Sequence, residues 1–191
     1  EKKMRATGEL LEAYKKGDIE AMEQIVDMYK DDVYNLCCRL SFNRTDADEL
    51  FQETWLNVLR YSDKYNDRSF RNWLYTICIN RYRDRCRKEA GRTKHLSDNY
   101  RSSVEKDHAF SLLKSDEDIE EKVETKYVNR LLVRKIDSLD DKFRIPVKLF
   151  YFEDMCYADI AEVCHIPEGT VKSRINAAKE KLRKMMESEL I

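Results

Sequence analysis

The chain has 191 residues, 42% of them apolar and 38% charged, and its 36 basic and 37 acidic side chains leave a formal net charge of −1. That length accommodates one large domain or two small ones with modest cores; no apolar stretch approaches the roughly 20 residues that span a bilayer, and the N-terminal segment is too charged for a secretory signal. With only four glycines, two prolines and no alternating run rich in valine or threonine, a sheet is excluded and an all-α, soluble, cytoplasmic protein is expected.

In chain order, apolar residues recur at helical period over Leu10–Tyr14, Ala21–Tyr29, Val33–Leu40, Ala47–Tyr61 and Phe70–Cys86, which predicts a helical bundle over residues 8–90. Gly17 suits a helix end, and Asp18 and Thr45 suit N-caps, since their side chains can accept the first free amides. The helix starting near Asp46 places Asp48, Glu49, Gln52 and Glu53 on its outer side, while Leu50, Phe51, Thr54 and Trp55 pack or straddle the edge. An acidic, amide-bearing face repels DNA and suits a protein partner of basic charge, although an ordinary solvated face has the same composition.

Ser69 to Lys88 reads differently. On a wheel of about 100° per residue, Leu74, Cys78 and Tyr82 share one side and Asn72, Thr76, Asn80, Arg83 and Arg87 the other. Asparagine and arginine are the side chains with bidentate reach to adenine and guanine, and the positive charge suits phosphate; a solvated basic face is the alternative. Trp73 is expected in the core. From residue 91 to 125 periodicity fades into Ser, Asp, Lys and His, as in a linker that cannot bury a core.

Over residues 126–188 a second small helical domain is expected. Val128, Leu131, Leu132, Ile136 and Leu139 restart a helix, and Val147–Phe152 form the next, with Pro146 in its first turn. Tyr157–Cys164 makes a short helix with Ile160, Ala161 and Cys164 inward, followed by a turn at His165, a residue that tolerates positive φ better than most. Ile166-Pro-Glu-Gly-Thr-Val-Lys-Ser-Arg-Ile-Asn-Ala-Ala178 then reads as the recognition helix of a helix-turn-helix. Pro167 fixes φ at the helix start and Glu168 complements the positive end of the dipole. Val171, Ile175, Ala178, Leu182 and Met185 form one apolar face, leaving Thr170, Ser173, Arg174, Asn176 and Lys179 to reach base edges and phosphates.

Charge is unevenly distributed. Residues 80–88 and 166–184 each carry +4, whereas residues 115–124 carry −5; two basic patches flank one acidic linker. Such a chain binds DNA weakly alone and needs a larger partner to deliver it. The six cysteines lack C-x-x-C spacing and the three histidines stand far apart, so no metal or cofactor site is expected and the cysteines read as small buried hydrophobes. No Gly-rich phosphate loop, metal-ligand cluster or nucleophile with a nearby base can be assembled, which argues against an enzyme.

Together and in this order, the segments from Gly8 to Met186 resemble the extracytoplasmic-function sigma factors of the sigma-70 family. The resemblance implies that Asp48, Glu49, Gln52 and Glu53 grip the clamp helices of RNA polymerase core. It implies a −10 promoter reader and opener on the helix containing Asn72, Thr76, Asn80, Arg83 and Arg87, with the loop from Tyr65 to Phe70 capturing an extruded base. It implies a −35 reader at Thr170, Lys172, Ser173, Arg174, Asn176 and Lys179, with the polymerase flap as a further contact. The family also implies an anti-sigma factor, often membrane-bound, that holds the sigma factor at the inner face of the membrane until an envelope-stress signal arrives. Four positions depart from the family pattern: Ala177 stands where arginine is usual, Cys156 for Ser or Thr, His165 for the turn glycine and Asp140 for a proline. The alternative is an autonomous regulator that dimerises on operator DNA through the same helix-turn-helix.

Overall fold

A computed structural model describes residues 2–66, 69–93 and 123–189, and the chain falls into two compact units, residues 1–105 and 106–191. Every regular element among the described residues is helical. None of these helices is long and apolar enough to cross a membrane.

The first unit contains α1 (Lys2–Lys15), α2 (Ile19–Leu40), α3 (Arg44–Tyr61), a single 3-10 turn (Ser62–Lys64) and α4 (Phe70–Thr93). α1 stops at Gly17, whose φ of 102° only glycine adopts without strain. Asp18 then accepts the Ala21 amide at 3.3 Å and starts α2. The periodic segments Ala21–Tyr29 and Val33–Leu40 belong to one uninterrupted helix, because Lys30, Asp31 and Asp32 contain no breaker. The cap of α3 is Asn43 and not Thr45: Asn43 Oδ1 accepts the Asp46 amide and its Nδ2 donates to the Asp46 carboxylate, both at 2.8 Å. That reciprocal pair satisfies a free amide and orients a carboxylate at once, which a threonine inside the first turn cannot do.

α2 is the central helix. It packs on α1, α3 and α4, and its Ala21, Ile25, Val33, Leu36, Cys37 and Leu40 are fully excluded from solvent together with Ala47 and Val58 of α3 and Leu74, Tyr75, Cys78 and Ile79 of α4. α1 contributes Leu11 and a buried Thr7 hydroxyl, 3.1 Å from the Tyr29 phenol.

The second unit contains α5 (Val123–Ser138), α6 (Asp141–Phe152), α7 (Tyr157–Cys164) and α8 (Glu168–Glu187). Ile136, Leu139, Val147, Ala178 and Leu182 form its core, with Phe143 and Met185 packed alongside. Pro146 lies in the interior of α6, at its sixth residue, and not in the first turn. The helix starts early because Asp140 places its carbonyl to accept the Phe143 and Arg144 amides at 2.8 and 2.9 Å. Pro146 has no N–H, which costs the helix the bond to the Lys142 carbonyl. α6 is joined to α5 by a buried ion pair, Lys148 Nζ to Asp137 Oδ1 at 2.5 Å, with side chains 4% and 3% exposed. The linker expected over 91–125, with its acidic stretch from Ser115, lies outside the described residues from 94 to 122; α4 runs to Thr93 and α5 begins at Val123.

Candidate functional site

The C-terminal helix-turn-helix is built from α7, a three-residue turn and α8. Cys156 caps α7: its sulfur accepts the Asp159 amide at 3.5 Å and its S–H donates to the Asp159 carboxylate at 3.0 Å. The other end of α7 closes on His165 in the left-handed region (φ 54°, ψ 48°). The His165 amide donates to the Glu162 carbonyl at 3.2 Å and the Ile166 amide to the Ala161 carbonyl at 3.0 Å, the paired bonds of a Schellman ending. The turn therefore keeps the geometry usually made by glycine, at the cost of placing a Cβ in the left-handed region. Pro167 next accepts the Thr170 and Val171 amides at 2.9 and 3.1 Å and α8 begins. Inward, Ile160, Val163 and Cys164 of α7 meet Val171 and Ile175 of α8; Ala161 is only half-buried.

Packing those apolar residues inward determines what α8 turns outward. Lys172, Ser173, Asn176 and Lys179 are exposed, and Thr170 and Arg174 half-buried. Ser173 folds its hydroxyl back onto the Thr170 carbonyl at 3.0 Å. Lys172, Arg174 and Lys179 form no ion pair with the described residues. One turn later the pattern changes: Arg183 pairs with Glu180 at 3.2 Å and Glu187 at 3.1 Å. Lys181 instead lies over the Phe143 ring, 5.4 Å from its centroid.

On α4 the outer stripe consists of Trp73, Thr76, Asn80 and Arg83, all half-buried, and the exposed Arg87. Asn72 does not belong to it. It is only 4% exposed in the first turn of α4, where Ser69 Oγ accepts its backbone amide at 3.3 Å. Phe70 is likewise buried, 1% exposed, within a cluster of Tyr29, Tyr65 and Trp73 whose ring centroids lie 4.9, 5.5 and 5.5 Å from its own. Trp73 is half-buried at the rim of that cluster, not in the core. Residues 67 and 68 of the loop lie outside the described residues. Thr76 spends its hydroxyl on the Asn72 carbonyl at 2.8 Å, and Arg87 lies 3.6 Å from Asp84, which also holds Arg81. Asn80 and Arg83 enter no side-chain hydrogen bond or ion pair with the described residues.

α3 turns Asp48, Glu49, Gln52 and Glu53 outward, and two of these acids are held from behind. Tyr34 of α2 donates its phenol to Asp48 Oδ1 at 2.8 Å, and this bond to a carboxylate raises the Tyr34 pKa above the ordinary phenol value. Arg85 of α4 reaches Glu49 Oε2 at 2.9 Å and Asp46 Oδ1 at 3.3 Å. The face also extends further than the sequence reading placed it: Leu56 is 63% and Leu59 42% exposed, four and seven residues after Gln52 and so on its side of the helix. That spacing was the available signal. No comparable signal exists for Tyr34 and Arg85, which lie 14 and 36 residues from their partners.

The cysteines divide by location. Cys37, Cys78 and Cys164 are buried, Cys38 and Cys86 half-buried, and Cys156 exposed, so the expectation of buried thiols fails at Cys156, which serves as a helix cap. Among the described residues no group of His, Cys, Asp and Glu is arranged to hold a metal ion.

Known proteins match this arrangement over both units. The sigma-70 region 2 family matches residues 25–92 and the sigma-70 region 4 family residues 129–182. The ECF RNA polymerase sigma factor SigW of Bacillus subtilis is 34% identical over 174 residues, 90% of this chain and 92% of SigW. SigE of Mycolicibacterium smegmatis, also an ECF RNA polymerase sigma factor, is 32% identical over 172 residues, 87% of this chain and 63% of SigE. Among solved structures, CnrH in complex with the cytosolic domain of CnrY has the same fold with a TM-score of 0.66 at 18% identity, covering 98% of this chain and 99% of CnrH. The sigma factor RpoE of Bartonella quintana, solved with the anti-sigma factor NepR, gives 0.68 at 19% identity over 88% of this chain and 98% of RpoE.

Proposed function

Since the chain belongs to the extracytoplasmic-function group of the sigma-70 family of transcription initiation factors, we propose that its two units divide promoter recognition between them. Residues 8–90 bind the clamp helices of core RNA polymerase through Asp48, Glu49, Gln52 and Glu53 and read the −10 element through Thr76, Asn80, Arg83 and Arg87. Residues 126–188 read the −35 element through Thr170, Lys172, Ser173, Arg174, Asn176 and Lys179, and residues 91–125 join the two. The observation that carries this reading is the α8 surface. Burial of Val171, Ile175, Ala178 and Leu182 leaves a cationic, amide-bearing face at the start of a helix, with its lysines free of internal carboxylates.

Asn72 and Phe70 act on this reading as supports. Phe70 fills the aromatic cluster with Tyr29, Tyr65 and Trp73, and an extruded base is received by the segment between Tyr65 and Phe70. Duplex opening costs a few kcal/mol per unstacked step, which a base pocket and phosphate contacts offset without nucleotide hydrolysis. Region 4 engages the polymerase flap, and an anti-sigma factor, membrane-anchored in many systems, sequesters the chain. The pairing of RpoE with NepR and of CnrH with CnrY supports that regulation.

Promoter-directed transcription with purified core polymerase on a library of DNA fragments tests the reading. Specific transcripts that vanish with Asp48→Ala/Gln52→Ala and with Arg174→Ala are expected; tight operator binding by the chain alone, without transcripts, would overturn it.

A further inference from the structure

Two of the three carboxylates proposed to grip polymerase are not simply displayed by α3; Asp48 and Glu49 are each tied by one oxygen to a different neighbouring helix. Asp48 Oδ1 accepts the Tyr34 phenol of α2 at 2.8 Å, and its Oδ2 meets only Arg44, at 3.9 Å and from a side chain 78% exposed. Glu49 Oε2 accepts from Arg85 of α4 at 2.9 Å. The same guanidinium reaches the Asp46 carboxylate at 3.3 Å and the Asp46 carbonyl at 3.4 Å, and Asp46 is itself locked to the Asn43 cap. Arg85 is held on three sides and only 19% exposed, whereas Glu49 is 58% exposed. The anchor is rigid and the anchored carboxylate is accessible.

We propose that Tyr34 and Arg85 are positioning residues of the polymerase-binding face, each holding one oxygen of a surface carboxylate so that the other is presented to a basic partner. An unrestrained Asp or Glu on a helix surface surrenders rotamer freedom when a partner orders it, and a side chain already fixed surrenders less. The role assigned to Tyr34 and Arg85 rests on the reading of this face as the polymerase contact.

The test uses the full chain and purified core polymerase, with the dissociation constant measured by competition and the dissociation rate by chase with unlabelled chain. Tyr34→Phe deletes one hydroxyl and keeps the ring. It is expected to raise the dissociation constant about three- to tenfold, the cost of ordering one otherwise free side chain, and to have no further effect in an Asp48→Ala background. Arg85→Gln removes a cation from an acidic face and so also speeds association; its signature is a dissociation rate raised about three- to tenfold, the cost of ordering one side chain, reversed by Arg85→Lys. Wild-type affinity of Tyr34→Phe beside weakened Asp48→Ala would overturn the positioning role while leaving the polymerase face intact. A Tyr34→Phe loss that persists in the Asp48→Ala background would overturn it too, since the phenol would then act through another group. Asp48→Ala and Glu49→Ala binding like the wild type would instead overturn the reading of the face. An unchanged melting transition in Tyr34→Phe separates positioning from loss of fold.

Discussion

His165 sets an aromatic residue with a Cβ in left-handed backbone at the turn of the helix-turn-helix, a conformation that Asp154 shares among the described non-glycine residues. The strain of that conformation for a residue with a Cβ is roughly 1–2 kcal/mol, part of which glycine returns to the entropy of the unfolded chain. His165→Gly is therefore expected to stabilise the C-terminal unit by up to about 1 kcal/mol, and His165→Val to destabilise it by about as much, both measured by urea unfolding. The cysteines test burial at the same scale. Burial, reinforced by the contact with Cys78 at 3.6 Å, pushes the Cys37 thiol well above the ordinary thiol range. With the folded state holding that proton more tightly than the unfolded one, its contribution to stability is present at neutral pH and is lost as pH rises through and beyond the ordinary thiol range. A thiol reagent should modify exposed Cys156 promptly and Cys37, Cys78 and Cys164 only on unfolding, as mass spectrometry of the labelled chain would show.

At the scale of single helices, periodicity and environment gave different answers in instructive places. α8 is amphipathic in the simple sense, and its inward and outward residues follow directly from their spacing. α4 is not, because Phe70 and Asn72 of its first turn are buried while the rest of its outer side is partly or fully exposed. Asn72 therefore lies on the polar side of the wheel and yet is buried, and only Thr76, Asn80, Arg83 and Arg87 remain as outward members of the predicted stripe. Arg83, held by no carboxylate among the described residues, is the member expected to reach phosphate. Arg83→Ala should weaken binding to single-stranded −10 DNA and lower the magnitude of the slope of log K against log salt by about 0.7, the worth of one phosphate contact on a single strand. In α6 the Lys148–Asp137 pair sets a different expectation. Removing one member leaves a buried charge alone, so Asp137→Ala should cost about 3–5 kcal/mol in a denaturant titration, far more than loss of the exposed Arg183–Glu187 pair, which is worth under about 1 kcal/mol.

For the whole molecule, a net charge of −1 hides two basic helices whose surroundings differ. In α8 Arg183 alone among the cations is ion-paired within the described residues, whereas Asp84 holds Arg81 and Arg87 of α4, and Arg85 is turned to α3. The two units are separately compact, so the losses from Arg83→Ala and Arg174→Ala should add to within about 0.5 kcal/mol in promoter-complex stability; strong non-additivity in a gel-shift assay with polymerase holoenzyme would count against independent recognition. The sequence by itself determined the helical class, the helix-turn-helix, the left-handed turn at His165 and the outward face of α8. Each of these follows from local chemistry: breakers, caps and a 3.6-residue period act within one or two turns of chain. Only the tertiary structure decided that Asn72 and Phe70 lie inside, that Asn43 rather than Thr45 caps α3, and that Tyr34 and Arg85 hold the acids of α3. Those outcomes depend on which distant segment covers a given turn and on contacts across 14 to 36 residues, for which a helical period carries no information.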